Sequence, residues 1–446
     1  MLHRRVLKFG GAALADGPGV ERVADIIARH DGPPPVVIVS AHQGVTDLLE
    51  TVAWAAVRGS LEADRVRIRH RTLLAQLGLP SELLDRFWRE LLHLLSHLQS
   101  QGSLRPQDLD LAWSFGERSS ARIVAHLLRS RGIEATPVDA WDLGFLTDSL
   151  HGQARPLEGI TDSIREALAE IPGVAVVTGF LAKDPAGRLT TLGRNGSDLT
   201  ASCVAEAISA PEIQFWKTVS GIMTADPSRV SNARLISQLG YGEAAELAFH
   251  GAQVLHPAAV APAVRARVAV TVRNVANPDA PGTRLVAGIR RNGPVAVGSR
   301  ADLVHLECVV SAPEARGLGA AEFFAALEER RLSPTILTSS GDTLGAFVPA
   351  APGIEELEVL WGERMRITRD LASVALVGKG NGRDRKLGQQ AYDLLDGTGI
   401  EVRHAAIGAR TRSQAFVVHR TDLSSALAVL HDLVVPELGV GAQNLS

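Results

Sequence analysis

The chain has little of what would place it in several large protein classes. It carries two cysteines, Cys203 and Cys308, far apart and without metal-ligand spacing. That argues against a disulfide framework or a structural zinc site and fits a reducing compartment. No run of about 18 apolar residues occurs, so nothing is expected to span a membrane. The basic start, Met1-Leu2-His3-Arg4-Arg5, resembles the head of a signal peptide, but Lys8 and a glycine pair interrupt any apolar core. A cytoplasmic location is the expectation. Charge of one sign is also missing: a net charge of −3 gives no overall pull toward nucleic acid or a membrane surface. His70, His93 and His97 invite a metal reading, yet no acidic partner motif accompanies them, and a solvated or packed helix face is expected. No Ser-His pair or paired-acid device is evident.

What is present is an ordinary globular composition, 46% apolar and 21% charged over 446 residues, enough for two or three domains. Up to about residue 290, short apolar runs alternate with amphipathic stretches. Val6–Phe9, Pro35–Ser40, Ala135–Val138, Val174–Thr178, Glu212–Trp216 and Val268–Asn274 read as strands. Val20–Arg29, Leu61–Leu98 and Ser119–Arg129 read as helices. Continuous apolar strands between helices predict a parallel or mixed sheet covered on both faces. The run Asn277–Thr283 is turn chemistry and suits a domain edge. Beyond about residue 295 two similar units follow, starting at Leu303 and Ser373. Each reads strand, helix, strand, strand, helix. This is an internal duplication of βαββαβ type and predicts two small ferredoxin-like modules.

Two stretches carry the chemistry. Lys8-Phe9-Gly10-Gly11 is a strand running into a glycine turn, where backbone N–H groups can close on an anion beside a lysine. Thr191-Leu192-Gly193-Arg194-Asn195-Gly196-Ser197-Asp198 is a second such turn, holding a cation, a hydroxyl and a carboxylate. Arg194 can bind a carboxylate bidentately or form a surface ion pair. Asp198 can orient Lys8 or cap a helix beginning near Leu199. Glu117, after Phe115-Gly116, reads as an acid at a helix start, where the helix dipole favours its charge. Together these groups suit a small anionic amino acid beside a transferable phosphate, a reaction that asks mainly for positioning and positive charge.

Lys8-Phe9-Gly10-Gly11, Val39-Ser40-Ala41, Gly116-Glu117-Arg118, Thr191–Asp198 and Val254-Leu255-His256-Pro257 occur in an order and spacing that resemble aspartate kinases of the amino acid kinase family. The duplicated tail resembles the tandem ACT modules of such enzymes. The resemblance covers nearly the whole chain. It implies an α/β fold, with a three-layer αβα kinase domain over 1–290 and ACT modules over 300–368 and 369–446. It implies ATP-dependent phosphorylation of the β-carboxylate of L-aspartate, the first step toward lysine, threonine and methionine. Magnesium is carried with the nucleotide. Residue by residue, Lys8 bridges the transferring phosphate, which Gly10 and Gly11 cradle, and Ser40 lies beside the phosphates. Thr46, Glu117, Asn195, Gly196 and Ser197 contact the substrate, Glu117 taking its ammonium. Arg194 holds the α-carboxylate and Asp198 orients Lys8. The modules imply an amino acid effector, such as lysine or threonine, and a homodimer or homotetramer. Candidate effector loops are Thr338–Asp342 and Gly378–Gly382.

The nucleotide side departs from the family pattern. Lys217 and Thr218 stand where Thr-Asp is usual, Met223 replaces a tyrosine, Ser228 an arginine (with Arg229 one place later), and Gln253 the lysine before Val254. Losing two cations weakens a triphosphate site by about tenfold or more per contact, unless Lys217 and Arg229 restore the charge from new directions. Three readings follow: an ATP-dependent enzyme with compensated drift, one with altered nucleotide use or a related amino acid substrate, and a catalytically weak ACT-type amino acid sensor.

Overall fold

The computed structural model describes residues 4–252, 255–287, 293–309, 316–408 and 412–434. The chain divides into two compact units, Met1–Ile222 with Leu255–Val286, and Met223–Val254 with Ala287–Ser446.

The first unit is built on strands β1 (Val6–Phe9), β2 (Val36–Val39), β3 (Ala135–Val138), β4 (Val174–Thr178) and a small hairpin, β5 (Leu181–Lys183) with β6 (Leu189–Thr191). After it come β7 (Glu212–Lys217) and, beyond the segment given to the second unit, β9 (Ala269–Asn274) and β10 (Thr283–Val286). The main sheet runs β3-β4-β2-β1-β7-β9-β10, parallel except for β10. Its strands are short, and β1, β2 and β4 are almost wholly apolar because helices cover both faces. One face packs on α1 (Gly17–Ala28), α2 (Val45–Val57), α3 (Ala63–Gln76), α4 (Asp85–Gln101) and α5 (Pro106–Ser130), with Leu7, Phe9, Val37, Val39 and Trp216 in the shared core. The opposite layer holds α6 (Ile160–Ala169), α7 (Gly196–Ala207) and α9 (Pro257–Arg265), of which α7 lies against β1, β2 and β7. This is the expected three-layer sandwich.

Two expectations about helices are corrected. Leu61–Leu98 is not one helix: α3 stops before Leu77, where Gly78 takes a φ of 63°, and α4 starts afresh at Asp85. Ser119–Arg129 is only the end of α5, which runs unbroken for 25 residues. Gly116 does not interrupt it but lets it approach β2: a Cβ there would come within 2.6 Å of the Ala41 Cβ. The turn at Asn277–Thr283 is followed by β10, so the first unit continues past it to Val286.

The second unit opens with β8 (Gln238–Gly240) and α8 (Tyr241–Phe249). It continues through β11 (Ala296–Val309), α10 (Arg316–Glu329), β12 (Ile336–Ser340), β13 (Thr343–Pro349), α11 (Gly353–Trp361), β14 (Met365–Val377), α12 (Arg385–Gly397), β15 (His404–Ile407), β16 (Ser413–His419) and α13 (Leu423–His431). These form one antiparallel sheet, β12-β13-β11-β14-β16-β15. The two modules share its central strands. Leu303–Val309 pairs with β13, whereas Ala296–Arg300 pairs with the half of β14 that also pairs with β16. β-Bulges between Arg300 and His305 separate the halves. The first module closes on Met365–Thr368 from its own repeat, whereas the second takes Ala296–Arg300 from a segment that precedes both repeats. Thr338–Asp342 is part of β12 and the turn into β13, not an open loop.

The stretch 223–254 falls within the expected kinase domain 1–290 yet packs in the second unit. Ala225 and Val230 join the core beneath α12 and α13, and Thr224 Oγ1 lies 2.8 Å from His431 Nε2. No described helix is long and apolar enough to cross a membrane.

Candidate active site

The site lies where the parallel strands end, the usual place for a ligand in such a sheet. Gly10 and Gly11 follow β1, Ser40 follows β2, and Lys217 ends β7. Gly11 has no room for a side chain, since a Cβ would meet the Ala41 carbonyl oxygen at 2.7 Å. These residues, with Lys8, Thr46, Glu117, Asn195, Gly196, Ser197 and Asp198, line one cavity of about 390 Å³.

Side-chain alternation along β1 decides what reaches it. Leu7 and Phe9 enter the core on one face, so Lys8 emerges on the other, toward α7. There its Nζ meets Asp198 Oδ1 at 2.6 Å. Asp198 sits in the first turn of α7, which starts at Gly196 rather than near Leu199; the αL residue Asn195, at a φ of 62°, precedes it. Asp198 thus pairs with Lys8, and the N-cap position of α7 is held by Asn195 instead. The carboxylate also takes Lys217, whose Nζ is 3.3 Å from Oδ2. Burial alone would raise the Asp198 pKa, but the two ammonium groups outweigh it and hold the carboxyl below its ordinary value. Lys217 is itself lowered, by burial and by Lys8, against the pull of Asp198.

Glu117 corrects the sequence expectation in kind. It is not at a helix start but in the middle of α5, 3% exposed, where no dipole end can favour its charge. Burial pushes its carboxyl up to about 7. Oε1 accepts a hydrogen bond from the Ala41 N–H at 3.0 Å, while Oε2 is buried with no hydrogen-bond partner among the described residues. An unpaired buried carboxylate oxygen on a cavity wall is costly unless a donor arrives.

The remaining expected residues lie elsewhere. Arg194 is exposed and not a lining residue, although Gly193 and Asn195 on either side of it are. Thr218 is exposed just beyond β7. Met223, Ser228 and Arg229 belong to the second unit. Met223 bridges to Leu235, and Ser228 bonds Asp226 through N at 2.9 Å and Oγ at 2.7 Å. Arg229 reaches Asp226 at 3.7 Å and Ser424 Oγ at 3.1 Å, so its charge is already engaged. Gln253 and Val254 lie outside the described residues. His93 and His97 are exposed on α4, and no cluster of three possible metal-ligating side chains occurs among the described residues.

Sequence reasoning missed His42 and Phe180, both on the cavity wall. His42 is buried, with Nδ1 2.8 Å from the Leu14 carbonyl oxygen, and burial with the neighbouring His70 lowers its pKa to about 3. It is a neutral wall, two residues past Ser40, and that adjacency was the available signal. Phe180 follows Gly179 at the end of β4 with a φ of 67°, a conformation rare for an aromatic residue. Nothing in the sequence marks it except its place after a strand and a glycine.

Comparison with known proteins gives the family. The profile of the amino acid kinase family matches residues 3–274, and the chain belongs to that family. Within it the chain stands with the aspartokinases. It is 31% identical to lysine-sensitive aspartokinase 3 of Escherichia coli strain K12 over 450 residues, covering 96% of this chain and 98% of the relative. The crystal structure of E. coli aspartokinase III with aspartate and ADP, termed the R-state, superposes with a TM-score of 0.80 at 28% identity, covering 97% of this chain and 99% of that one. The T-state structure with lysine and aspartate gives 0.81, again at 28% identity, with coverages of 97% and 100%.

Proposed function

We propose that the protein transfers the γ-phosphoryl group of ATP to the β-carboxylate of L-aspartate, yielding 4-phospho-L-aspartate and ADP. One observation carries this reading: a buried Lys8–Asp198 ion pair and the unpartnered Glu117 oxygen share one cavity. The first suits a phosphate and the second an ammonium group.

In the reaction, a β-carboxylate oxygen of aspartate forms a bond to the γ-phosphorus as the bond to the bridging oxygen breaks, and ADP carries off the electron pair. The nucleophile is already ionised near neutral pH, so no general base is needed. Lys8 neutralises the phosphoryl oxygens while Gly10 and Gly11 offer backbone N–H groups, with Ser40 alongside. Glu117 Oε2 accepts from the substrate ammonium, and Thr46 and the first turn of α7, Gly196 and Ser197, close around the carboxylates. Arg194, exposed beside two lining residues, is available for the α-carboxylate. Magnesium would be held by the nucleotide phosphates, where it supplies further neutralisation. The related E. coli enzyme was crystallised with aspartate and ADP, which supports both substrates.

A kinase domain over 1–290 and regulatory modules over 300–368 and 369–446 belong to the same proposal. So do an amino acid effector at the modules and a homodimer or homotetramer. The T-state relative carries lysine.

The test is purified protein with magnesium, aspartate and each nucleoside triphosphate in turn, trapping the acyl phosphate with hydroxylamine. Hydroxamate with ATP supports the proposal. Product with another triphosphate alone would change the donor, and none with any would overturn the activity. Light scattering and inhibition by lysine or threonine test the assembly and the effector.

A further inference from the structure

The expected pattern for this family places Thr at position 217, and this chain has lysine there. The structure puts that lysine on the catalytic cavity. Lys8 pairs in register with Phe215 across β1 and β7. Lys217 lies two residues past Phe215 and so emerges on the same face as Lys8. Both ammonium groups converge on Asp198, one per carboxylate oxygen, at 2.6 Å and 3.3 Å.

The shared carboxylate is the decisive feature. Two cations share one carboxylate in a largely buried setting: the side chains are 8%, 22% and 3% exposed for Lys8, Lys217 and Asp198. The cavity wall carries two further carboxyls, the exposed Asp47 and the buried Glu117, which spends one oxygen on the Ala41 N–H. Two buried ammonium groups on one carboxylate repel each other, and a multiply charged anion entering between them relieves that repulsion. An ammonium has three N–H donors, and Asp198 occupies one on each lysine, so both keep donors for a ligand. Lys217 is the more accessible of the two.

We propose that Lys217 is a second catalytic cation, held with Lys8 by their common carboxylate and acting on the transferring phosphoryl group. This rests on the kinase reading above and extends it from donor binding to the transition state. Charge redistributes over the phosphoryl oxygens during transfer, and fixed cations aimed there stabilise the transition state more than the bound nucleotide. Asp198 is then the positioning residue for both lysines. The cations absent from the usual nucleotide-side positions are replaced, in function, by one that arrives from β7.

The experiment compares Lys217→Met and Lys217→Arg with the native chain, using hydroxamate kinetics with saturating aspartate and varied nucleotide. Lys217→Met is expected to lower kcat by about 10²-fold or more while the nucleotide KM moves by less than about threefold. Lys217→Arg should restore a substantial part of kcat. Thermal unfolding confirms that each variant folds. A raised nucleotide KM with unchanged kcat would overturn the proposal by making Lys217 a donor-binding residue, and no kinetic change would overturn it outright.

A second readout separates this proposal from the activity itself. Calorimetry of ADP–magnesium with aluminium fluoride and aspartate reports the transition-state arrangement, and ADP–magnesium alone reports the ground state. Lys217→Met should weaken the first and spare the second. Equal weakening of both, or of neither, would overturn the assignment even if the native chain showed no turnover.

Discussion

At the scale of single residues, the site depends on two carboxyl groups in opposite electrostatic situations. Asp198 is kept ionised by two lysines, whereas Glu117 is pushed up to about 7 by burial. In the proposed role Glu117 binds the ammonium as its carboxylate, so the KM for aspartate should rise about tenfold per pH unit below about pH 7, with kcat affected less. Glu117→Gln should bind aspartate poorly at every pH and lose this dependence; a native KM flat from about pH 5.5 to about 8.5 would contradict the role. The same shift bears on stability. A carboxyl whose folded pKa is raised from 4.5 to about 7 contributes stability that is full below 4.5 and lost as pH rises through about 7. Glu117→Gln should therefore unfold at higher temperature than the native chain at about pH 8, and at nearly the same temperature near pH 4. For Asp198, replacement by Ala leaves two buried ammonium groups without their anion and should cost about 3–5 kcal/mol in urea unfolding, as well as most of the activity.

Helix α5 shows what the sequence conceals at the scale of elements. Phe115-Gly116 reads locally as a break, because glycine is a poor helix former and a carboxylate just after it suits a helix start. The helix continues because Gly116 is needed for contact: α5 passes so close to Ala41 that a side chain at 116 would overlap it. That close approach is what lets Glu117 accept the Ala41 N–H. Gly116→Val should thus raise the KM for aspartate and destabilise the first unit by about 1–3 kcal/mol through overpacking, measured by kinetics and urea unfolding. Helix propensity alone predicts the opposite for stability, since valine favours a helix over glycine. Strands were easier. Their continuous apolar character and length are local properties, so β1, β3 and β4 fall on the expected residues.

For the whole molecule, the second unit takes in 223–254, and its sheet shares central strands between two sequence repeats. A duplication in sequence shows the repeat but not that the second copy is completed by Ala296–Arg300, a strand ahead of both. Hydrogen bonding across β11 and β14 settles that. The Thr224–His431 contact joins the inserted stretch to the last described helix with both groups fully buried. Thr224→Val leaves the His431 Nε2 unpaired, and a loss of about 1–3 kcal/mol is expected from the second unit, visible as an earlier thermal transition of the full chain.

The sequence by itself determined the layered α/β class, the duplicated tail, and the motifs of the site from Lys8 to Asp198. These are local matters: apolar periodicity, glycine turns after strands, and residue types set at short spacing. Only the tertiary structure decided which charges meet. Strand alternation and parallel register bring Lys8 and Lys217 to one carboxylate, although some 200 residues of chain separate them. Burial, which no local pattern reports, turned Glu117 from a helix-end anion into an acid that titrates near neutrality. The engagement of Arg229 by Ser424, 195 residues further on, likewise became visible only once the chain was packed.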